Sequence, residues 1–157
     1  MWNKIRPYVG FSAAALAVGG LSALLTGGGM RDFAALNQPP LSPPAWLFPV
    51  VWTILYVLMG VSMAIVWRET SGIERKRALR AWALQLAVNF LWPVFFFGLE
   101  WRLFAFFWLL LLIVLVVRMV RIFRQHSALA AILQIPYLVW LVFAGYLNFA
   151  VWLLNRS

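Results

Sequence analysis

The chain has 157 residues, of which 65% are apolar and only 11% are charged, and its mean hydropathy is +0.90. A soluble domain of this size cannot bury so much apolar surface, so the composition excludes a soluble enzyme, a disordered tail and a secreted disulfide-rich domain. The sequence contains no cysteine, which excludes disulfides and cysteine-ligated metal sites.

Five apolar segments are long enough to cross a bilayer, since a membrane helix needs about 20 apolar residues. In chain order they are residues 8–25, 45–67, 79–98, 103–120 and 129–154. They lack the alternation of apolar and polar residues that membrane β-strands show. We therefore predict an all-α membrane protein, with residues 1–157 forming one domain that is a bundle of five transmembrane helices. A signal peptide at the first segment is disfavoured, because no small-x-small cleavage site closes it before Gly27.

The segment between the first two spans, residues 26–44, is predicted to be an outer lid loop. It contains Gly27, Gly28 and Gly29, followed by two Pro-Pro pairs. Pro-Pro pairs favour stiff, extended backbone, and connections of this length often act as lids or binding loops.

The basic residues are distributed unevenly between the two sides of the predicted bundle. Ten of the 13 Lys and Arg residues fall before the first span or in the loops after the second and fourth spans. The positive-inside rule therefore predicts a cytoplasmic N-terminus, in a cell membrane that we expect to be bacterial. Residues 74–80 are predicted to be a cytoplasmic anchor beside lipid headgroups. No soluble basic surface is available for nucleic acid, so we expect no nucleic-acid partner.

The sequence lacks the residue sets that conventional enzymes and ion-coupled transporters use. His126 is the only histidine, and all four acidic residues lie outside the predicted span cores. This pattern predicts no metal site and disfavours hydrolysis, phosphoryl transfer and proton-coupled transport.

Ten tryptophans are present, and half of them fall at the ends of the predicted spans. These five are predicted to anchor in the headgroup region: Trp2, Trp67, Trp82, Trp101 and Trp152. A tryptophan inside a span must instead find an acceptor for its indole N–H. For each tryptophan inside a span, taken alone, packing between helices is also a sufficient explanation.

Aromatic and amide residues recur every three or four positions in the second, third and fifth segments, so in each helix they share one face. Asn89 and Asn148 should face the bundle interior, where they either hydrogen-bond between helices or line a cavity. Aromatic walls with few polar groups predict a pocket for a flat, apolar ligand. The predicted ligand-binding residues are Phe48, Trp52, Tyr56, Asn89, Trp92, Pro93, Phe96, Tyr137, Trp140, Ala144 and Asn148.

Three stretches of the chain resemble the TspO/translocator protein family, also called tryptophan-rich sensory proteins or peripheral benzodiazepine receptor relatives. They are LNQPPLSPPAWLFPVVWTILY at residues 36–56, LQLAVNFLWPVFFF at residues 84–97 and IPYLVWLVFAGYLNF at residues 135–149. Their order along the chain also agrees with that of the family.

The resemblance implies a five-helix membrane bundle, usually a homodimer, that binds protoporphyrin IX and other haem-pathway tetrapyrroles and requires no separate cofactor. It also implies binding of isoquinoline carboxamide and benzodiazepine-type ligands. Asn89, Trp92, Pro93, Phe96 and Ala144 match pocket positions of the family.

Trp52 and Trp140 match two tryptophans that are implicated in light-dependent porphyrin breakdown in some bacterial members. They would be catalytic only if this chain shares that activity. A porphyrin receptor or regulator, a light- and oxygen-dependent porphyrin-degrading enzyme and a porphyrin or sterol transporter therefore remain three alternatives.

Two positions depart from the family pattern, and one further feature bears weakly on assembly. Leu41 stands where the family usually has a tryptophan, so an aromatic residue of the lid is missing. Tyr146 is followed by no basic residue until Arg156, which leaves the proposed sterol motif incomplete.

Ala15, Gly19 and Ala23 form a small-residue series on the first span that weakly supports a dimer contact.

Overall fold

The computed structural model describes residues 1–27 and 29–157, so Gly28 of the predicted lid loop lies outside the described residues. Within them, the chain forms seven α-helices, one π-helical turn and no strand. The helices are α1 (Trp2–Leu25), α2 (Gly29–Ala34), α3 (Leu47–Glu69), α4 (Gly72–Pro93), α5 (Arg102–Arg124), α6 (Ala128–Leu133) and α7 (Ile135–Leu154). The π-helical turn, Val94–Gly98, continues α4.

Five helical stretches of the described chain are long and apolar enough to cross a membrane. They are α1, α3, α4 with its π-helical turn, α5, and α6 together with α7. The predicted all-α fold with five spans is therefore confirmed.

The helices extend beyond the predicted bounds of the spans. The first begins at Trp2 instead of residue 8, the third at Gly72 instead of residue 79, and the fourth ends at Arg124 instead of residue 120. These extra turns carry charged residues, and we expect their long side chains to reach the headgroup region while the backbone stays helical. Hydropathy therefore locates the apolar centre of a membrane helix better than its ends.

The five spans form a closed ring in the order first, second, fifth, fourth, third. α1 packs against α3 and α4, α5 packs against α4 and α7, and α6 packs against α3 and α5. The ring has two distinct ends. We call the end with the N-terminus and the turns at residues 70–71 and 125–127 the basic end, and the opposite end, which carries residues 26–46, the loop end.

The packing of α1 on α3 is close enough to require glycine at two positions. A Cβ atom at Gly60 would overlap the backbone of Ser12, and a Cβ atom at Gly19 would overlap the ring of Tyr56. Ala15, in the same small-residue series as Gly19, is fully buried. Ala15 and Gly19 therefore pack inside the bundle, and the dimer contact that the series weakly supports stays a prediction.

The basic end also departs from the prediction at two residues. Trp82 is buried rather than anchored in the headgroup region, and its Nε1 donates to the carbonyl of Met59 at 3.1 Å, because α4 begins three turns earlier. Arg75 is not simply solvated: its guanidinium donates to the carbonyls of Trp67 and Thr70 and lies 4.3 Å from the Trp67 ring centroid. Arg75 thus caps the C-terminal end of α3, where a positive charge is favourable.

Part of the predicted lid loop is helical. α2 packs through Phe33 against Phe96 and Phe97, with ring centroids 5.7 and 5.6 Å apart. Gly29 allows this approach, since a Cβ atom there would lie 2.6 Å from Cβ of Phe97. Aromatic contacts with the third span thus fold a segment that its glycines and prolines alone predict to be extended.

Residues 35–46, which we call the strap, follow α2 and lie at the loop end. Asn37 and Asn155 form a pair of hydrogen bonds, in which the backbone N–H of Asn37 donates to Oδ1 of Asn155 and Nδ2 of Asn155 donates to the carbonyl of Asn37, each at 3.0 Å. The hydroxyl of Tyr146 donates to the carbonyl of Pro40 at 2.8 Å. The strap is therefore fastened to α7 and to the residue just after it.

Candidate functional site

A cavity of about 290 Å³ lies inside the ring of helices near the loop end. The structure places ten of the eleven predicted ligand-binding residues on its wall: Phe48, Trp52, Tyr56, Asn89, Trp92, Pro93, Phe96, Trp140, Ala144 and Asn148. The eleventh, Tyr137, is fully buried behind the wall and contacts it through hydrogen bonds. Binding of a ligand by these residues stays a prediction.

Aromatic pairs form most of the cavity wall. Trp92 and Phe96 are stacked, with ring centroids 5.2 Å apart and an interplanar angle of 19°. Trp52 lies 5.6 Å from Tyr56 at an angle of 30°, and Phe48 meets Trp140 edge-on at 5.9 Å. Such walls present both ring faces and ring edges to a planar guest.

A chain of hydrogen bonds closes the deep side of the cavity. The hydroxyl of Tyr56 donates to Oδ1 of Asn89 at 2.7 Å, and Nδ2 of Asn89 donates to the hydroxyl oxygen of Tyr137, also at 2.7 Å. The Tyr137 hydroxyl in turn donates to Oε1 of Gln85 at 2.9 Å. The sequence left open whether Asn89 forms hydrogen bonds between helices or lines a cavity. In the structure it does both, because its amide lines the cavity and links α3, α4 and α7.

Asn148 has the same double role on the other side of the cavity. Its Oδ1 accepts from Nε1 of Trp92 at 3.0 Å, and its Nδ2 donates to the carbonyl of Arg102 at 2.7 Å. The amide thereby fixes the Trp92 ring in place and ties α7 to the first residue of α5. In each of the two asparagines, the amide oxygen and one of the two N–H groups have a partner among the described residues.

Trp52 and Trp140 differ from the other tryptophans within the spans. Trp92 and Trp108 donate to Asn148 and to the carbonyl of Val88, respectively. Among the residues that the structure describes, the indole N–H groups of Trp52 and Trp140 have no acceptor. Both residues line the cavity, so their indole N–H groups are the first candidates to donate to a guest with polar edges.

The described lining of the cavity contains no charged residue. It offers no carboxylate, histidine or lysine for proton transfer, and no set of ligands for a metal ion. This arrangement suits a flat and mainly apolar guest held by ring contacts, with a few amide and indole groups to orient it.

Sequence reasoning missed the contributions of α1, α2 and α5 to the cavity. The missed lining residues include Gly19, Ser22, Ala23, Thr26, Phe33, Phe97, Leu109, Leu112 and Leu147. On α1 the signal exists, because positions 19, 22, 23 and 26 are small or polar and share one helix face. The leucines of α5 resemble those that face lipid, so the sequence offers no signal for them.

Leu41, which stands where the family usually has a tryptophan, lies away from the cavity wall. Leu41 is 81% exposed and has a φ angle of +67°, in the left-handed region that is strained for leucine. The side chain that replaces the expected tryptophan therefore extends from the turn of the strap and lies outside the cavity lining.

Comparison with known proteins gives consistent matches over almost the full chain. The sequence profile of the TspO/MBR family matches residues 11–153. The chain is 38% identical to the translocator protein of Bos taurus over 153 residues, which cover 96% of this chain and 90% of the relative. It is 39% identical to protein CrtK of Rhodobacter capsulatus, over 92% of this chain and 90% of that protein. It is 36% identical to the tryptophan-rich protein TspO of Archaeoglobus fulgidus, over 90% of this chain and 92% of that protein.

Proposed function

The chain belongs to the TspO/MBR family, and we propose that this integral membrane protein is a receptor or regulator that binds porphyrins, such as protoporphyrin IX, in its central cavity. The observation that carries the proposal is the convergence of Trp52, Trp92, Trp140 and their aromatic neighbours around one hollow, whose described lining contains no charged residue. Each ring contact with a macrocycle contributes on the order of 1 kcal/mol beyond the burial of apolar area.

Because the cavity is small, the proposal also requires part of the protein to move when a porphyrin binds. The cavity volume of about 290 Å³ lies just below the range of about 300–1,000 Å³ that is usual for ligand pockets. Phe33 of the short helix α2 lies between Phe48, Phe96 and Phe97 at the edge of the cavity. We expect α2 to move outward with Phe33 when a complete macrocycle binds. Smaller isoquinoline carboxamide and benzodiazepine-type ligands should fit with less movement of α2. They should also compete with the porphyrin for the cavity and displace it.

A titration of the detergent-solubilised protein with protoporphyrin IX, followed by quenching of tryptophan fluorescence, tests the proposal. Ala144 is 8% exposed and lines the cavity, so Ala144→Leu fills space that the guest needs. We expect this variant to bind at least tenfold more weakly. Combining it with Trp140→Phe should weaken binding by about a further fivefold, through loss of one indole contact.

Ala14→Leu is the matched control, because Ala14 is exposed on α1 and does not line the cavity. Its affinity should equal that of the unmodified chain. Unchanged affinity in the Ala144→Leu variant would place the porphyrin site elsewhere and contradict the proposal.

A second candidate function is light- and oxygen-dependent breakdown of the bound porphyrin. The observation that favours it is the presence of Trp52 and Trp140 on one cavity wall, from two different helices, with indole N–H groups that lack an acceptor among the described residues. A bound macrocycle in contact with both indoles has two electron-rich rings within reach of its excited state.

Illumination of the porphyrin complex in air distinguishes the two functions. If breakdown occurs, a new product absorbance should develop with the unmodified chain and be abolished by Trp52→Phe. Trp101→Phe is the control, since Trp101 is 55% exposed at the loop end and does not line the cavity. Equal bleaching of the porphyrin by all three proteins would contradict enzymatic breakdown and leave binding as the function.

A further inference from the structure

A second hollow lies on the outer surface of the bundle, between α4 and α5 at the basic end. It is an open groove of about 530 Å³, separate from the central cavity. Arg77 is the one described lining residue on α4, and the other lining residues lie on α5 or, for Gln125, just after it. The lining residues are Arg77, Ile113, Val114, Val117, Arg118, Arg121, Ile122 and Gln125.

The three arginines of the groove have no partner among the described residues. Among the described residues, Arg102 pairs with Glu100, and Nε2 of His126 lies 3.5 Å from the carboxylate of Glu74. Arg77, Arg118 and Arg121 are exposed and form neither ion pairs nor hydrogen bonds there, in contrast to Arg75, which caps α3. Three uncompensated guanidinium groups thus line one short groove.

The groove changes from apolar to cationic along α5. Val114, Val117, Arg118 and Arg121 recur at helical spacing, so they lie along one face of the helix. Val114 and Arg121 are seven residues apart along the sequence, which corresponds to about 10 Å along a helix axis. We therefore expect the apolar part of the groove to lie deeper in the bilayer and its arginines to lie at the depth of the headgroups.

We propose that this groove is a binding site for an anionic phospholipid. The phosphate group contacts Arg118, Arg121 and Arg77, and an acyl chain lies along the valines. Guanidinium groups pair well with phosphate because their N–H groups match its oxygens in a bidentate geometry. A zwitterionic lipid brings a positive charge to the same three arginines, so the site should prefer a lipid with net negative charge.

Native mass spectrometry of the purified full chain, with phosphatidylglycerol or phosphatidylcholine added at equal concentration, tests this site. We expect the unmodified chain to retain phosphatidylglycerol in preference to phosphatidylcholine. The double variant Arg118→Gln/Arg121→Gln should bind phosphatidylglycerol roughly 25-fold more weakly, about fivefold for each arginine removed, since each contributes about 1 kcal/mol beside an anionic lipid.

The control is Arg80→Gln/Arg124→Gln, which removes the same charge from the basic end at two exposed residues outside the groove. It should retain phosphatidylglycerol as the unmodified chain does. Equal losses in the two double variants, or no preference of the unmodified chain for phosphatidylglycerol, would overturn the proposal. Displacement of the lipid by glycerol 3-phosphate at the same concentration would also overturn it, because the apolar part of the groove would then contribute nothing.

Discussion

Tyr137 shows how one hydroxyl group can hold the deep side of the cavity together. It is fully buried, accepts a hydrogen bond from Asn89 and donates one to Gln85. A buried polar group that loses its partner costs free energy, because no water replaces the missing hydrogen bond. Two such groups, Nδ2 of Asn89 and Oε1 of Gln85, depend on this single oxygen.

We therefore expect Tyr137→Phe to lower the free energy of unfolding by about 1–2 kcal/mol, since it removes the hydrogen-bond partner of Nδ2 of Asn89 and of Oε1 of Gln85. Thermal unfolding in detergent, followed by tryptophan fluorescence, measures the change. Tyr8→Phe is the control, because the Tyr8 hydroxyl only accepts an exposed hydrogen bond from Arg68. Equal melting temperatures for the two variants would contradict a structural role of the buried network.

The residues of the candidate site illustrate what helical spacing can and cannot predict. Spacing placed Phe48, Trp52 and Tyr56 on one face of α3, and all three line the cavity. The same spacing did not separate Tyr137 from Trp140, because it gives the direction of a side chain but not its depth. How deeply a side chain is buried depends on how closely the neighbouring helices pack. That packing is determined by residues in other segments of the chain.

At the scale of the helices, the contact between α1 and α3 is the tightest constraint in the ring. A Cβ atom at Gly60 would overlap the backbone of Ser12, which cannot move aside as a flexible side chain can. We expect Gly60→Ala to push the two helices apart and to destabilise the bundle by about 1–3 kcal/mol.

Gly20→Ala provides the comparison, because a Cβ atom at Gly20 meets nothing within 4 Å in the described part of the chain. This variant should unfold at the same temperature as the unmodified chain or slightly higher, because alanine favours helices. If Gly60→Ala were equally well tolerated, the close approach of α1 and α3 would be contradicted.

The elements were predictable to different extents. All five spans follow from runs of apolar residues, because the bilayer imposes a minimum length on each of them. The helix α2 was not predicted, because its formation depends on the packing of Phe33 against aromatic rings of the third span. The break at Gln134 between α6 and α7 was also missed, since it does not interrupt the apolar run.

At the scale of the whole molecule, the homodimer implied by the family resemblance stays a prediction. Ala15 and Gly19 pack against other helices of the bundle, but the opposite face of α1 also carries small residues. Gly10, Ala17 and Gly20 are exposed on that face, where close approach of a second helix is possible.

Because the chain has no cysteine, a single introduced cysteine tests this contact without background. If two copies associate through α1, Ala17→Cys should form a disulfide-linked dimer in native membranes under mild oxidation. Val142→Cys, at a position 59% exposed on α7, should remain monomeric on a denaturing gel. Cross-linking of Val142→Cys alone would assign the contact to a different face.

The hydrogen bonds that hold the strap determine how easily the loop end of the bundle can open. Three hydrogen bonds join the strap to Tyr146 and Asn155, and each contributes about 1 kcal/mol net. A total of about 3 kcal/mol corresponds to roughly one molecule in 150 with these bonds broken at any moment. We therefore expect that the strap opens by thermal fluctuation alone, with no need for nucleotide hydrolysis or an ion gradient.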